Sequence, residues 1–228
     1  MKIDQDAFVW IQDISDQQEL LECTDDIVSN AYRKFLIELG DAPPARCRPS
    51  VTLAAFAVGE DRTSNECPIA TVSLNLGSKT NARLELMEFF EPTQGDWSTY
   101  SEHGFNAEKV IEVIRLAFCE TISDQTERSR LMRLEIARRF FNSSALIGQA
   151  YGCNQVWAIA SLPVVRLVKE ASKMPLARAR EVKTNDQHPI VQSYRNFWEK
   201  LRPALFRAYS RPVYVEGETV KATVGNNP

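Results

Sequence analysis

Inside the apolar run from Val110 to Phe118 stand two opposite charges, Glu112 and Arg115, three residues apart. A run this rich in Val, Ile, Leu and Phe, bounded by polar segments, predicts a strand inside a sheet. Charged side chains are rarely buried unless they are paired or at work, so these two restrict what the strand can belong to. In a regular strand side chains alternate, and residues an odd number apart point to opposite faces. One extra residue in a β-bulge shifts the parity and brings Glu112 and Arg115 to one side, where they can pair and line a cleft. A bulge also breaks the ladder and frees backbone N–H groups to polarise a carbonyl. The competing reading is a pair of partly exposed charges on an edge strand or strand end.

Around this run the periodicity changes in an ordered way. Phe8 to Ile14 reads as a first strand, and apolar residues spaced three to four apart from Leu20/Leu21 to Leu39 predict one or two amphipathic helices stopped by Gly40 and Pro43-Pro44. Val51 to Val58, Ile69 to Leu76 and Leu84 to Phe90 read as strands of an antiparallel meander, the first two joined by turn chemistry at Gly59 to Asn65. Glu91 to Phe105 is an aromatic-bearing loop with Trp97 and Tyr100. After Phe118 come a polar link, a long helix from Glu127 to Tyr151 ended by Gly152, a strand at Gln155 to Ala160, and a helix opened by Ser161 and Pro163 running to Ser172. Pro175 to Val182 predicts a strand, Pro189 to Leu201 a helix, and Pro212 to Glu216 a last strand. Hairpins followed by helical crossovers predict an α/β (α+β) fold with a mixed sheet and helices on its faces. One domain over residues 1 to 216 accommodates this order, with 217 to 228 a polar, fraying tail.

Several classes of function are disfavoured by composition. A net charge of −3 and a pI near 5.6 do not suit a chain that coats nucleic acid. The five cysteines are scattered, with no C-x-x-C and no matching histidine spacing, which argues against a disulfide framework or zinc and for a reducing cytoplasm. The N-terminus is charged with no apolar stretch of a signal peptide behind it, and no transmembrane segment is expected.

The element order resembles the GNAT acyltransferase fold, in which a V-shaped opening between the fourth and fifth strands receives the acyl donor's pantetheine arm. That resemblance makes Val110 to Phe118 the fourth strand and Gln155 to Ala160 the fifth, in a mostly antiparallel sheet split between them. Within such proteins the chain is most similar to the N-acyl amino acid synthases and acyl-homoserine lactone synthases. Their fourth strand carries Glu-x-x-Arg-Leu/Phe, matched by Glu112-Val-Ile-Arg115-Leu-Ala-Phe118, and their N-terminal region an arginine-aromatic motif, matched loosely by Tyr32-Arg33-Lys34-Phe35.

Two departures qualify the likeness. Lactone synthases carry a tryptophan soon after the N-terminal arginine and an arginine ending the third strand, whereas this chain has Gly40-Asp41-Ala42 and Thr71 to Asn75 there. That favours another amine acceptor. Users of coenzyme A carry a glycine-containing pyrophosphate loop at the long helix's start, where free N–H groups and the helix dipole meet the anion. Here Glu120 to Arg133 has no glycine and instead presents Arg128, Arg130 and Arg133. A cationic face suits an acidic acyl carrier protein, whose approach opposite potentials would steer; the bland alternative is a solvated helix face, paired in part with Glu127 or Glu135.

The resemblance implies transfer of a medium or long fatty acyl group from acyl-phosphopantetheine on a carrier protein, or from acyl-CoA, to the amine of an amino acid, related small molecule or peptide, with no permanent cofactor or metal. Glu112 takes the amine proton, directly or through a water, while Arg115 pairs with it or holds an acceptor carboxylate. Backbone N–H groups at Leu116, Ala117 and Phe118 stabilise the oxyanion, and Arg33 and Phe35 position substrate. Cys119, His103 and His188 are weaker candidates for reactive groups, and Tyr194, Phe197, Trp198, Phe206 and Tyr209 for the roof of an acyl tunnel. The other expected classes are a short-acyl coenzyme A enzyme and a non-catalytic binding module of the same fold.

Overall fold

A computed structural model describes residues 9–35, 49–57, 67–80, 84–89, 105–123, 125–172, 177–178 and 184–209. Its seven-stranded sheet has the order β1-β2-β3-β4-β5-β7-β6. The strands are β1 (Val9–Asp13), β2 (Val51–Ala57), β3 (Ala70–Leu76), β4 (Val110–Phe118), β5 (Gln155–Ala160), β6 (Ala177–Arg178) and β7 (Ala204–Tyr209). All adjacent pairs run antiparallel except β4 and β5.

The helices are α1 (Gln18–Tyr32), α2 (Glu85–Phe89), α3 (Glu127–Ala150), α4 (Leu162–Ser172), α5 (Pro189–Ser193) and α6 (Arg195–Leu201). β2 and β3 are buried along their whole length, so both sheet faces must be covered. On one face Leu53, Val72, Leu74 and Leu76 join Ile136, Phe140 and Phe141 of α3 in the main core. On the other Ala54 and Phe56 pack against Leu20 and Leu21 of α1, with Trp10 stacked on Phe56. Among the described residues no helix is long and apolar enough to cross a membrane.

β4, β5, α3 and α4 fall where the sequence placed them, because each has strong periodicity and a chemical stop. The Thr126 side chain accepts a hydrogen bond from Ser129 N–H at the start of α3, and Gly152, at φ 72°, takes the left-handed turn after its end. The segment expected as a third meander strand, Leu84 to Phe90, departs from expectation: within it Glu85–Phe89 forms the helix α2. A short apolar run does not distinguish strand from buried helix, and here Glu112 decides by capping the helix. The expected single helix from Pro189 to Leu201 breaks at Tyr194, whose φ of −109° and ψ of 29° leave the helical region. β7 was not anticipated. Within the expected strand Pro175 to Val182 the described residues form only β6, and the expectations for 36–48, 58–66, 90–104 and 210–228 lie outside the described residues.

Gly77 ends β3, where its N–H donates to the Val110 carbonyl at 2.9 Å and fixes the approach of β4. A Cβ there would stand 1.7 Å from the Ala107 carbonyl oxygen, so the two backbones would have to separate. Gly77→Ala is expected to destabilise the protein by roughly 1–3 kcal/mol, read as a lowered midpoint in urea unfolding.

Candidate active site at the bulged fourth strand

The β4 strand is bulged. Ser73 of β3 faces Ile114, but Thr71 faces Ala117, so Arg115 and Leu116 together oppose the single residue Val72. Arg115 sits at φ 55°, the left-handed conformation that lets one extra residue enter a strand. Parity shifts there: Glu112 and Arg115 come to the same face, and both meet Glu85 at the start of α2.

The carboxyl of Glu112 is 1% exposed and held by three donors. Oε2 accepts from Asn75 Nδ2 at 2.8 Å and from Glu85 N–H at 2.9 Å, and Oε1 from Leu86 N–H at 2.5 Å. Asn75 stands directly across the ladder from Glu112, and the two N–H groups belong to the first turn of α2. Burial, and after it the neighbouring Glu85 carboxyl, push Glu112 up to about 7, against the pull of its donors. Arg115, with a side chain 11% exposed, places Nη2 3.5 Å from Oε1 of Glu85. The two motif charges are thus joined through Glu85, a residue outside the motif.

β4 and β5 separate just beyond this point. Their parallel ladder covers Val110 to Val113 and Gln155 to Ala158, while β5 continues its pairing with β7 through Ala160. The β5-facing edge of Ile114 to Phe118, with Leu116 and Ala117 at its centre, therefore runs past the end of the ladder. Into the opening falls a cleft of about 120 Å³ walled by Val113, Val156, Ala158, Ala160, Phe140 and Phe206, with Arg115 and Tyr32 also on its lining. A smaller cleft of about 70 Å³ adjoins it and shares Arg115, Tyr32, Val113, Ile114 and Ile159. It also shares Phe197, and its other walls are Glu85, Phe89, Ile190, Tyr194 and Trp198. A third, more polar cleft under α1 also reaches Arg115, which borders all three, whereas Glu112, expected to line a cleft beside it, is buried behind α2 and borders none of them.

The N-terminal motif enters through Tyr32, not Arg33. Tyr32 Oη donates to the Leu116 carbonyl at 3.5 Å, and its ring meets those of Tyr194 and Phe197. Arg33 is exposed and borders none of these clefts; Phe35 packs edge-on against Phe197 at 5.5 Å. Of the C-terminal aromatics, Phe197 and Phe206 line the larger cleft, and Tyr194, Phe197 and Trp198 line the smaller. Of the three α3 arginines, Arg128 is exposed, Arg130 lies between Glu127 at 3.4 Å and Glu170 at 2.9 Å, and Arg133 donates to the Ile122 carbonyl at 2.6 Å. Cys119 has its sulfur 2.9 Å from the Thr121 hydroxyl, and His188 caps α5 with its ring against Phe89. Neither borders the clefts. Among the described residues no cluster of metal-ligating side chains occurs.

Sequence reasoning missed Glu85, Asn75 and Tyr32. Asn75 lies in the Thr71 to Asn75 segment already singled out as a departure, and the opposite-strand register is what gives it a role. Glu85 sat inside a segment read as a strand, which hid its place on a helix start.

No family model matches the chain, and none of the curated proteins matches it. Among solved structures, the AHL synthase LasI aligns with a TM-score of 0.51 at 10% identity over 90% of each chain. FeeM, an N-acyl amino acid synthase from uncultured soil microbes, aligns with a TM-score of 0.48 at 13% identity over 91% of this chain and 93% of that one. Tetrahymena GCN5 aligns with a TM-score of 0.43 at 10% identity over 90% and 98%. At such identities the likeness is one of fold. With the split fourth and fifth strands and helices on both faces, the chain has the GNAT fold.

Proposed function

We propose that this protein is an N-acyltransferase that moves a medium- or long-chain fatty acyl group from acyl carrier protein, or from acyl-CoA, to the amine of an amino acid, a related amine or a peptide. The observation that carries this reading is the β4 bulge, which stands at the mouth of an apolar cleft between diverging strands.

Acyl transfer from a thioester to an amine needs a neutral amine, a polarised carbonyl and proximity. The cleft takes the acyl chain, since its walls are aliphatic and aromatic apart from Arg115, Tyr32, Arg207, Ser144 and Ser161. The thioester carbonyl then lies beside Leu116 to Phe118, whose backbone N–H groups stabilise the developing oxyanion. An ammonium acceptor loses one proton to Glu112 through a water, and the neutral nitrogen attacks the carbonyl carbon. The C–N bond forms, the C–S bond breaks, and the departing thiolate takes the second amine proton. A carboxyl held near 7 is matched to that task at physiological pH. Arg115 holds the acceptor's carboxylate, for which its planar fork is suited. On the donor side, the exposed Arg128 offers the carrier protein a cation, with Arg130 and Arg133 flanking it on α3.

Chain length tests the cleft. Ala158 is half-buried on the cleft wall, and phenylalanine there fills space that a long acyl chain needs. Ala158→Phe is expected to lower turnover of 12- to 16-carbon acyl donors by roughly tenfold or more, an amount equivalent to about 1.4 kcal/mol, and to spare 4-carbon donors. Turnover is read by mass spectrometry of the N-acyl product. An unchanged chain-length profile would place the acyl group elsewhere.

A further inference from the structure

We infer that Glu85 binds the ammonium group of the acceptor amine in the smaller cleft, a reading that rests on the acyl-transfer assignment above. Three observations converge on this side chain. It is 8% exposed and borders the cleft beside Arg115, Tyr32, Tyr194 and Trp198. Its Oε1 is buried and receives no hydrogen bond, although Arg115 Nη2 stands at an ion-pair distance of 3.5 Å. The neighbouring acid, Glu112, borders neither cleft and already accepts three hydrogen bonds, which leaves room for one water but makes Glu85 the carboxyl presented to the cleft.

A buried carboxylate oxygen without a hydrogen bond is costly, and the cost is relieved when a donor arrives. An ammonium is a compact cation with three donors, and the surrounding Phe89, Ile159, Ile190 and Trp198 provide an apolar setting that strengthens a charge-assisted bond. Position agrees with chemistry. The smaller cleft meets the acyl cleft at Val113, Ile114 and Arg115, so an ammonium held at Glu85 lies next to the bulge where the thioester carbonyl is placed. Glu85 is thus a substrate-binding residue that selects amines over hydroxyl acceptors, distinct from the proton-accepting role of Glu112.

The test uses purified wild type, Glu85→Gln and Glu85→Asp with one acyl donor. Acceptor KM and kcat are measured across the standard amino acids and hexylamine, with inhibition by the hydroxy analogue of the best acceptor. Glu85→Gln is expected to raise acceptor KM roughly 10- to 100-fold with donor KM unchanged, the equivalent of one charge-assisted hydrogen bond. The preference of the binding site for amine over hydroxy analogue should collapse in Glu85→Gln and survive in Glu85→Asp. Wild-type transfer with acceptor KM and that preference unmoved in Glu85→Gln overturns the assignment, even when the variant melts at a lower temperature. If Glu85→Gln does not fold, a wild-type preference below twofold overturns it as well. A wild type that transfers to no amine brings down the acyl-transfer reading itself, and this inference with it.

Discussion

Acyl transfer by Glu112→Gln is expected to fall roughly 10²- to 10⁴-fold at pH 8, the range that loss of a positioned general base produces. The amide keeps the size of the side chain but cannot take the amine proton. Wild-type activity should rise with pH through about 7, as Glu112 ionises, and the variant's residual activity should lack that limb. Stability moves in the opposite direction. Because the folded-state carboxyl titrates about 7, above its ordinary value of 4.5, the folded protein binds the proton more tightly than the unfolded chain. The associated stability is full below about 4.5 and is lost as pH rises through 7, a change on the order of 3 kcal/mol that Glu112→Gln should not show. Denaturant unfolding at pH 5 and pH 8, alongside rate measurements, separates the catalytic from the structural part of the residue's role. Activity in Glu112→Gln equal to wild type across that range removes Glu112 from the chemistry.

Substitution of Arg115 should show an order that a regular strand would reverse. The left-handed φ of 55° is open to glycine and strained for a β-branched residue. Arg115→Gly and Arg115→Val both leave the Glu85 carboxyl without its ion-pair partner, and breaking a buried pair costs about 3–5 kcal/mol. Glycine preserves the bulge, whereas valine adds roughly 1–3 kcal/mol of backbone strain or straightens the strand. Valine is much the better strand former, so in a regular β4 it would be the less damaging of the two. Thermal or urea unfolding should therefore rank Arg115→Gly above Arg115→Val. Both should lose acyl transfer by roughly 30-fold or more, since the loss of a buried charge contact to an acceptor carboxylate costs about 2–5 kcal/mol.

Where sequence and structure agree, the reason is local chemistry. The parity misfit between Glu112 and Arg115 left a bulge or a pair of exposed charges at a strand edge as its two explanations, and the register at Val72 has the form of the bulge. Thr126 and Gly152 marked the ends of α3 through capping preferences that act within a few residues. Where they diverge, the deciding partner is distant. Glu85 to Phe89 becomes a helix because its first amides find the carboxyl of Glu112, 27 and 26 residues along the chain. No pattern within the segment carries that information. The same holds for Tyr32, which displaces Arg33 at the site through a contact with the Leu116 carbonyl 84 residues away. Glu85 could have been suspected from its spacing to Glu88 on one side of a short helix, but only after the segment was read as a helix.

The most direct measurement is mass spectrometry of the products formed when the purified protein is given acyl-carrier protein or acyl-CoA together with amine acceptors, in parallel for wild type, Glu112→Gln and Arg115→Gly. Thioester-to-amine transfer at the bulged β4 predicts an N-acyl amine in the wild type, faster from the carrier protein than from acyl-CoA, and a deep loss in both variants. N-acyl amine undiminished in the variants, or absent from all three proteins, contradicts it.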